Sequence, residues 1–208
     1  SYERIIQFYQ GNREYNTALR VIETALKQYG FSSFFYTKKA EISANQHQFG
    51  EALDALQTAE GLDPRNVNVC LIRADVYLWQ GKHTEALAEV EHGLSLTNEP
   101  GDLCELYLEM ADIWEDQEKY PRVREALQHA LTNDPQNEEA YNRLWFCTEI
   151  TESYEQSIRF HSELIENNPY AYLAWYNLGH AYAGLDMYEK ALEAFGFVTA
   201  INDEFDPG

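Results

Sequence analysis

The hydrophobic residues of the chain recur at three- and four-residue spacing, which is the period of an α-helix with one buried face. Near the end of the sequence, Leu178 and Tyr182 mark one apolar stripe, and Ala191 and Phe195 mark a second. Short polar segments, such as the one around Gly81, separate neighbouring stripes. The pattern therefore predicts pairs of amphipathic helices, each of about three to four turns, joined by tight turns.

These helical pairs repeat along the chain at a nearly constant interval. Pro64, Pro135 and Pro169 each follow an apolar run. The step from Pro64 to Pro135 is twice the step from Pro135 to Pro169 plus three positions, so one repeat carries a short insertion, which the turn-forming segment 98–101 can absorb. The phase predicts a single array of six units, at approximately residues 1–32, 33–66, 67–102, 103–137, 138–171 and 172–205.

The sixth unit shows the repeat most clearly. Its spaced residues are Trp175, Leu178, Gly179, Tyr182, Ala191 and Phe195. They resemble the tetratricopeptide repeat (TPR), whose pattern is W-x2-L-G-x2-Y followed by A-x3-F. The resemblance implies an all-α, right-handed superhelical solenoid of about six antiparallel helix–turn–helix hairpins. It also implies a protein–protein interaction scaffold or adaptor, with a concave groove lined by the first helix of each hairpin.

The groove positions that the resemblance implies hold acidic, amide, aromatic and aliphatic residues, and none of them is lysine or arginine. The candidate peptide-binding residues are Glu41, Asn45, Leu71, Asp75, Trp79, Leu108, Asp112, Glu115, Asn142, Phe146, Glu149, Tyr176 and His180. Aromatic anchors would supply most of the affinity, and the carboxylates would favour basic partners. We therefore expect the groove to take a peptide segment or helix with basic and apolar residues. A solvated concave surface, with binding elsewhere, is the alternative.

The charge of the chain narrows the class of partner. Fifteen Lys and Arg residues stand against 35 Asp and Glu residues, which gives a net charge of −20. Nucleic-acid binding requires a basic surface, and anionic lipid headgroups repel an acidic one, so neither nucleic acid nor membrane is an expected partner. The expected partner is another protein or peptide.

The sequence also bears on location. No apolar run approaches the length of a membrane-spanning helix, and no signal-peptide pattern is present at the start, although the chain begins at Ser1 and a leader could have been removed. The three dispersed cysteines, Cys70, Cys104 and Cys147, fit a reducing compartment and a role as small core residues. These features predict a cytoplasmic protein.

Residue patterns for catalysis or metal binding are missing from the sequence. It contains no G-x-S-x-G, no H-E-x-x-H and no phosphate-binding P-loop. Glu89 and His92 lie one helical turn apart, as do Glu125 and His129, but a metal site needs three or four converging ligands. We therefore expect no enzymatic activity, no catalytic or metal-binding residues and no cofactor.

Two other functions stay open at this stage. The array could be a peptide-sensing module that controls an output domain outside this chain, or the helical accessory domain of an enzyme. The sixth unit is followed directly by Asp206, Pro207 and Gly208, without an evident capping helix. We therefore expect an exposed apolar flank there, in a fragment of a longer repeat protein or in a chain that self-associates through its C-terminal hairpin.

Overall fold

The computed structural model describes residues 1–203 and is all-α over that range. The described residues form twelve helices in six antiparallel hairpins. The helices are α1 (Tyr2–Gly11), α2 (Tyr15–Tyr29), α3 (Ser33–Asn45), α4 (Phe49–Leu62), α5 (Val67–Trp79), α6 (His83–Leu96), α7 (Pro100–Glu115), α8 (Tyr120–Asn133), α9 (Glu138–Thr151), α10 (Tyr154–Asn167), α11 (Tyr172–Gly184) and α12 (Tyr188–Ile201). The prediction of repeated helical hairpins is confirmed, while the terminal residues Asp206 to Gly208 lie outside the described range.

The chain divides into two compact units, Ser1–Asn98 with α1–α6 and Glu99–Gly208 with α7–α12. In each unit the second helix of a hairpin packs on the first helix of the next, as α4 does on α5 and α10 on α11. The shared walls are apolar: Ile22 and Ile42 are fully buried in the first unit, and Leu127 and Leu144 are buried in the second. Neighbouring hairpins therefore complete each other's core.

The turn inside every described hairpin contains one residue with a left-handed backbone. These residues are Arg13, His47, Gly81, Glu118, Glu152 and Asp186. Their spacing along the chain is constant except between Gly81 and Glu118, where it is three positions longer, so the backbone shows the same phase as the sequence pattern, insertion included. Gly81 is the one glycine among these six turn residues, and the other five have a conformation that L-residues rarely adopt.

The three extra residues between the third and fourth hairpins were expected to lengthen the turn, but they are part of a helix. They extend α7, which begins at Pro100 and therefore includes Gly101. Proline suits this first helical position because its fixed φ is helical and its missing N–H would have no partner there. The fourth hairpin accordingly begins before the boundary expected at residue 103.

Asparagine side chains fix the start of two first helices. Asn66 accepts a hydrogen bond from the backbone N–H of Asn68, and its amide donates to the Ser33 hydroxyl at 3.1 Å. Asn137, two repeats later, accepts a hydrogen bond from the backbone N–H of Ala140 at 2.9 Å. Each cap satisfies one of the free N–H groups at a helix start, and Asn66 also ties α5 to α3. Two of the first helices that carry candidate site residues, α5 and α9, therefore have capped N-termini.

Candidate functional site

The thirteen candidate residues lie on first helices, and each unit carries its own group. Those of the first unit are on α3 and α5, and those of the second unit are on α7, α9 and α11. Helix α3 contacts α5, and α9 contacts α11. The structure therefore brings candidates together within each pair of contacting helices.

Helix α9 presents the most open group of candidates. Asn142, Phe146 and Glu149 follow one another at four- and three-residue spacing, which places them on one face of the helix. All three are exposed, and 52% of Phe146 is accessible to solvent. Ile150, four residues after Phe146, is also exposed and adds a second apolar side chain. This face combines apolar anchors with an amide and a carboxylate.

Helix α11 joins that face through a cluster of rings. The His180 ring centroid lies 4.7 Å from that of Trp145 on α9 and 4.4 Å from that of Tyr176. Burial lowers the pKa of His180, and the carboxylate of Glu149 partly opposes this effect. His180 is therefore a neutral aromatic side chain at neutral pH. We call the surface formed by Asn142, Phe146, Glu149, Tyr176 and His180 the α9–α11 face.

Two glycines allow α11 to pack closely on its neighbours. A Cβ atom at Gly179 would lie 2.6 Å from the ring of Phe195 on α12, and one at Gly184 would lie 2.5 Å from the ring of Tyr154 on α10. Both separations are shorter than real Cβ atoms tolerate, so larger residues would push the rings away. The position of His180 on α11 thus depends on small residues on either side of it.

The acidic candidates on α7 are paired with a basic residue that the groove positions did not include. Arg143 on α9 forms ion pairs with Asp112 and Glu115 on α7, and with Glu139 one turn before it. Its side chain is only 18% exposed. Burial lowers the pKa of the Arg143 guanidinium, but Asp112 and Glu115 more than offset this, so its pKa is raised and it stays charged. The α7 surface is therefore less negative than its sequence suggests.

The two leucine candidates are less exposed to solvent than Trp79 and Phe146. Leu108 packs against the core of the second unit and is partly buried. Leu71 on α5 is also half-buried. Their apolar groups are already largely removed from water, so a ligand would gain little from covering them.

The acidic candidate on α3 is also engaged within the protein. Glu41 accepts hydrogen bonds from the side chains of Gln10 on α1 and Lys38 on its own helix, each at 2.7 Å. Asn45, one turn further along α3, is exposed. Both line a shallow depression with Tyr15. This small polar surface lies between α1 and α3.

Trp79 and Asp75 complete the group in the first unit. Trp79 is the last residue of α5 and is 46% exposed. Its ring centroid lies 6.1 Å from that of His47 and 6.3 Å from that of Phe49, at the turn between α3 and α4. Asp75, one turn earlier, is half-buried. Trp79 therefore lies at the hairpin-turn edge of the α3–α5 pair.

A group of potential metal ligands, which the sequence pattern did not reveal, forms between α5 and α6. Ligand atoms of Cys70, Glu89 and His92 lie within 4.8 Å of one another. Glu89 and His92 were visible as a one-turn pair, but Cys70 belongs to the preceding helix and joins them only in the folded hairpin. Thiolate, carboxylate and imidazole are ligand types that Zn²⁺ uses in proteins.

None of the helices in residues 1–203 combines the length and apolar character that a bilayer crossing requires. The net charge of −20 makes the protein acidic at neutral pH.

Two parts of the chain match models of the tetratricopeptide repeat, at residues 37–92 and 172–201. The human cilia- and flagella-associated protein 70 is 25% identical to this chain over 113 residues. That alignment covers 54% of this chain and 10% of the human protein, so the chain corresponds to only a small part of this relative.

Solved structures with the same fold show low sequence identity to this chain. PilF from Pseudomonas aeruginosa superposes with a TM-score of 0.68 at 11% identity, covering 98% of this chain and 91% of that protein. YrrB, described as a TPR protein with an unusual peptide-binding site, superposes with a TM-score of 0.52 at 20% identity, covering 88% and 93%. These likenesses establish the repeat architecture.

Proposed function

Because the chain is a tetratricopeptide-repeat protein, we propose that it is a protein–protein interaction scaffold whose α9–α11 face binds a peptide segment or helix with apolar and basic residues. The family match and the hairpin architecture support the general role, since arrays of this kind typically act as non-catalytic interaction scaffolds. YrrB, with its peptide-binding site, offers an analogy on the same fold.

The observation that carries the proposal is the exposure of Phe146 and Ile150 one turn apart on α9. Exposed aromatic and aliphatic side chains on one helix face provide an apolar surface, now in contact with water, that a ligand can cover. The face also offers hydrogen-bonding groups through the Asn142 amide and the Glu149 carboxylate. A complementary ligand would present apolar side chains at helical or extended spacing.

The preference for a basic ligand comes more from the net charge of the whole protein than from the carboxylates of the α7 surface. Asp112 and Glu115 form ion pairs with Arg143, and the exposed Glu149 carboxylate accepts a hydrogen bond from Tyr154 and lies near the neutral His180 ring. The net charge of −20 would steer basic segments toward the protein over longer distances. We therefore expect the affinity to come from the rings and the association rate to come from charge.

A labelled peptide library read by fluorescence anisotropy tests the proposal. Peptides would carry two apolar anchors and several Lys or Arg residues, and matched versions would have the charges reversed or the anchors replaced by serine. We expect Phe146→Ala to weaken binding at least about tenfold, or roughly 1.4 kcal/mol. The control is Tyr170→Ala, which removes an exposed ring outside the α9–α11 face of the same unit.

Two results would count against this function. One is equal affinity for the basic and charge-reversed peptides at low salt. The other is equal loss of binding in the Tyr170 and Phe146 variants, which would show that the α9–α11 face is not the contact surface.

We also propose self-association through the C-terminal hairpin, with a second copy as the occupant. Leu192 on α12 is 73% exposed, although Ile158, one repeat earlier, packs against the core. In the first hairpin, Phe8 on α1 is exposed, whereas the equivalent residue one repeat later, Ile42, is fully buried. Among residues 1–203 no helix covers either of these two faces, so α1 of one copy could cover α12 of another.

Sedimentation velocity over a range of concentrations tests this second proposal. We expect a concentration-dependent increase in sedimentation coefficient for the native chain and its loss in Leu192→Glu. A native chain that stays monomeric at every concentration would exclude it.

A further inference from the structure

The third hairpin contains a compact cluster of metal-ligating side chains. Cys70 lies on α5, and Glu89 and His92 lie one turn apart on α6. The Cys70 sulfur is 3.7 Å from Nδ1 of His92, and one ligand atom from each of the three residues lies within 4.8 Å of the others. Cys70 is buried, whereas His92 is exposed, so the cluster opens to solvent on the α6 side.

We propose that Cys70, Glu89 and His92 form a binding site for Zn²⁺. A tetrahedral zinc ion with bonds of about 2.0–2.3 Å holds its ligand atoms about 3.3–3.8 Å apart. The sulfur and Nδ1 already have this separation. The Glu89 carboxylate needs to move inward by at most about 1.5 Å, within the reach of a side-chain rotation. The exposed side of the cluster leaves the fourth position to water.

Arg73 supports the cluster and balances its charge. Its Nη1 donates to Glu89 at 3.0 Å and its Nη2 donates to Glu60 on α4 at 2.8 Å. The guanidinium would orient the Glu89 carboxylate from behind, as hydrogen-bonding partners of metal ligands commonly do. A Cys70 thiolate, Glu89 and Glu60 together carry three negative charges, and Arg73 carries one positive charge. The remaining charge of −2 matches one divalent cation.

The positions of Cys70 and His92 hold a pair of stacked rings in two other hairpins. In the fourth hairpin the positions of Cys70 and His92 are held by Tyr107 and His129, whose rings stack 4.8 Å apart. In the sixth hairpin they are held by Trp175 and Phe197, whose rings stack 4.3 Å apart. The third hairpin thus has a thiol facing an imidazole where these two hairpins have two rings.

Glu89 stands at a position that is apolar in the other five hairpins, and Arg73 stands at one that is apolar in all of them except the second, which has a lysine there. Glu89 corresponds to Ala126 in the fourth hairpin and to Ala194 in the sixth, and both alanines are buried. Arg73 corresponds to Leu144 in the fifth hairpin, which is also buried. The ion pair with Arg73 offsets part of the cost of burying Glu89, and a cation bound together with the neighbouring cysteine and histidine would balance the negative charge that remains.

A nucleophilic cysteine is the main alternative for such a group, and the environment disfavours it. Burial, with the carboxylate of Glu89 as the next largest cause, raises the pKa of the Cys70 thiol to about 11. Reactive cysteines require the opposite, a lowered pKa and access to the substrate. Zn²⁺ displaces the thiol proton directly, because its charge stabilises the thiolate.

Cobalt binding to the whole, reduced chain tests the site. The protein would be freed of metal by a chelator, titrated with Co²⁺ and then with Zn²⁺ as a competitor. We expect one ion per chain, a thiolate-to-cobalt charge-transfer absorption in the near ultraviolet, and its loss when Zn²⁺ is added. This absorption requires a sulfur ligand, so it separates the site from weak binding to the many surface carboxylates.

Matched variants assign the ligands. We expect Cys70→Ala and His92→Ala to abolish the charge-transfer absorption and to weaken Zn²⁺ binding at least about tenfold, since loss of even a hydrogen-bonding partner of a ligand commonly has an effect of that size. His92 is exposed, so its variant remains informative if Cys70→Ala perturbs the core. The controls are Cys104→Ala and His129→Ala, a buried cysteine and the repeat-equivalent histidine of the second unit, which should leave both unchanged.

Three results would overturn the proposal. The first is Co²⁺ binding without a thiolate band in the native chain. The second is a band that survives in His92→Ala. The third is an equal loss of the band in His92→Ala and His129→Ala, which would indicate a general effect on folding. The peptide-binding proposal concerns the second unit and stands or falls separately.

Discussion

Arg143 on α9 places its Nη2 atom 2.8 Å from a carboxylate oxygen of Glu115 on α7. The same guanidinium also pairs with Asp112 and Glu139, so one largely buried cation holds three carboxylates. Because Glu115 ends α7 and Arg143 lies within α9, this contact joins the first helices of two successive hairpins. It stabilises the packing of α9 on α7 and reduces the negative charge of the α7 surface.

Replacing Arg143 by glutamine should destabilise the second unit. The substitution leaves three neighbouring carboxylates without their cation. Those carboxylates are partly exposed, so water screens the effect, and we expect a loss of about 1 kcal/mol in the free energy of unfolding. Urea unfolding followed by circular dichroism measures it. The control is Arg122→Gln, which removes an exposed pair with Glu125 and should change stability by less than about 0.5 kcal/mol. Equal losses of stability in the two variants would contradict a stabilising role for the three ion pairs of Arg143.

Adding one methyl group should have opposite effects at two glycines of the last hairpin. Gly179→Ala forces the Phe195 ring away and should lower stability by about 1–3 kcal/mol. Gly196→Ala, in the middle of α12 with nothing near its Cβ position, should raise stability by about 0.5–1 kcal/mol through helix propensity. Thermal unfolding of the two variants compares them. A stable Gly179→Ala protein would mean that the Phe195 ring relocates freely.

The left-handed turn residues predict another pair of opposite effects. Gly81→Ala places a Cβ at a φ of 71° and should lower stability by about 1–2 kcal/mol. Glu118→Gly, at the equivalent turn of the next hairpin with a φ of 55°, should remove the same strain. We expect a gain of about 0.5–1 kcal/mol there, reduced by the extra freedom of glycine in the unfolded chain. Denaturant titration of both variants checks the signs.

His161 should make the stability of the second unit depend on pH. It is fully buried, and its Nδ1–H donates to the Ser157 carbonyl at 2.8 Å, while its Nε2 has no hydrogen-bond partner among the described residues. Burial lowers the pKa of His161 to about 4, from 6.5 in an unfolded chain. Between these values only the unfolded state takes up the proton. The contribution of His161 to the free energy of unfolding is therefore fully present above pH 6.5. It is lost as the pH falls toward 4, by about 3 kcal/mol in all.

The measurement is the free energy of unfolding of the native chain and of His161→Leu between pH 4 and 7. The difference between the two curves should flatten above pH 6.5 and change steadily below it. His129→Ala, at an exposed histidine, should follow the native chain. Parallel curves for the native and His161→Leu proteins would show that His161 takes up a proton in the folded state.

Local chemistry made the helices and their phase predictable. The three- and four-residue spacing of apolar side chains, the prolines after Asp63, Asp134 and Asn168, and the constant repeat interval all act within one hairpin or between identical positions of adjacent hairpins. The structure has a helix end at each of these three residues. The form of the insertion was not predicted, because residues that favour a turn also suit the first turn of a helix. Helix α7 begins at Pro100, within the segment expected to form a turn.

The candidate site could be predicted only in part from the sequence. The exposure of Phe146 agreed with its position on a first helix, since that position faces away from the second helix of its own hairpin. Leu108 occupies the position equivalent to Asn142 and packs partly into the core, while Trp79 lies against His47 and Phe49 where α4 begins. Repeat position alone therefore left open how far each side chain remains accessible.

The sequence by itself determined that this protein is a series of helical hairpins, because apolar periodicity and repeat phase are properties of residues close together in the chain. Only the tertiary structure decided that Arg143 neutralises Asp112 and Glu115, and that Cys70 meets His92. The members of each pair are far apart in the sequence and lie on different helices. Their meeting depends on how closely the helices pack and which way each side chain turns, and a linear pattern of polar and apolar residues does not specify either.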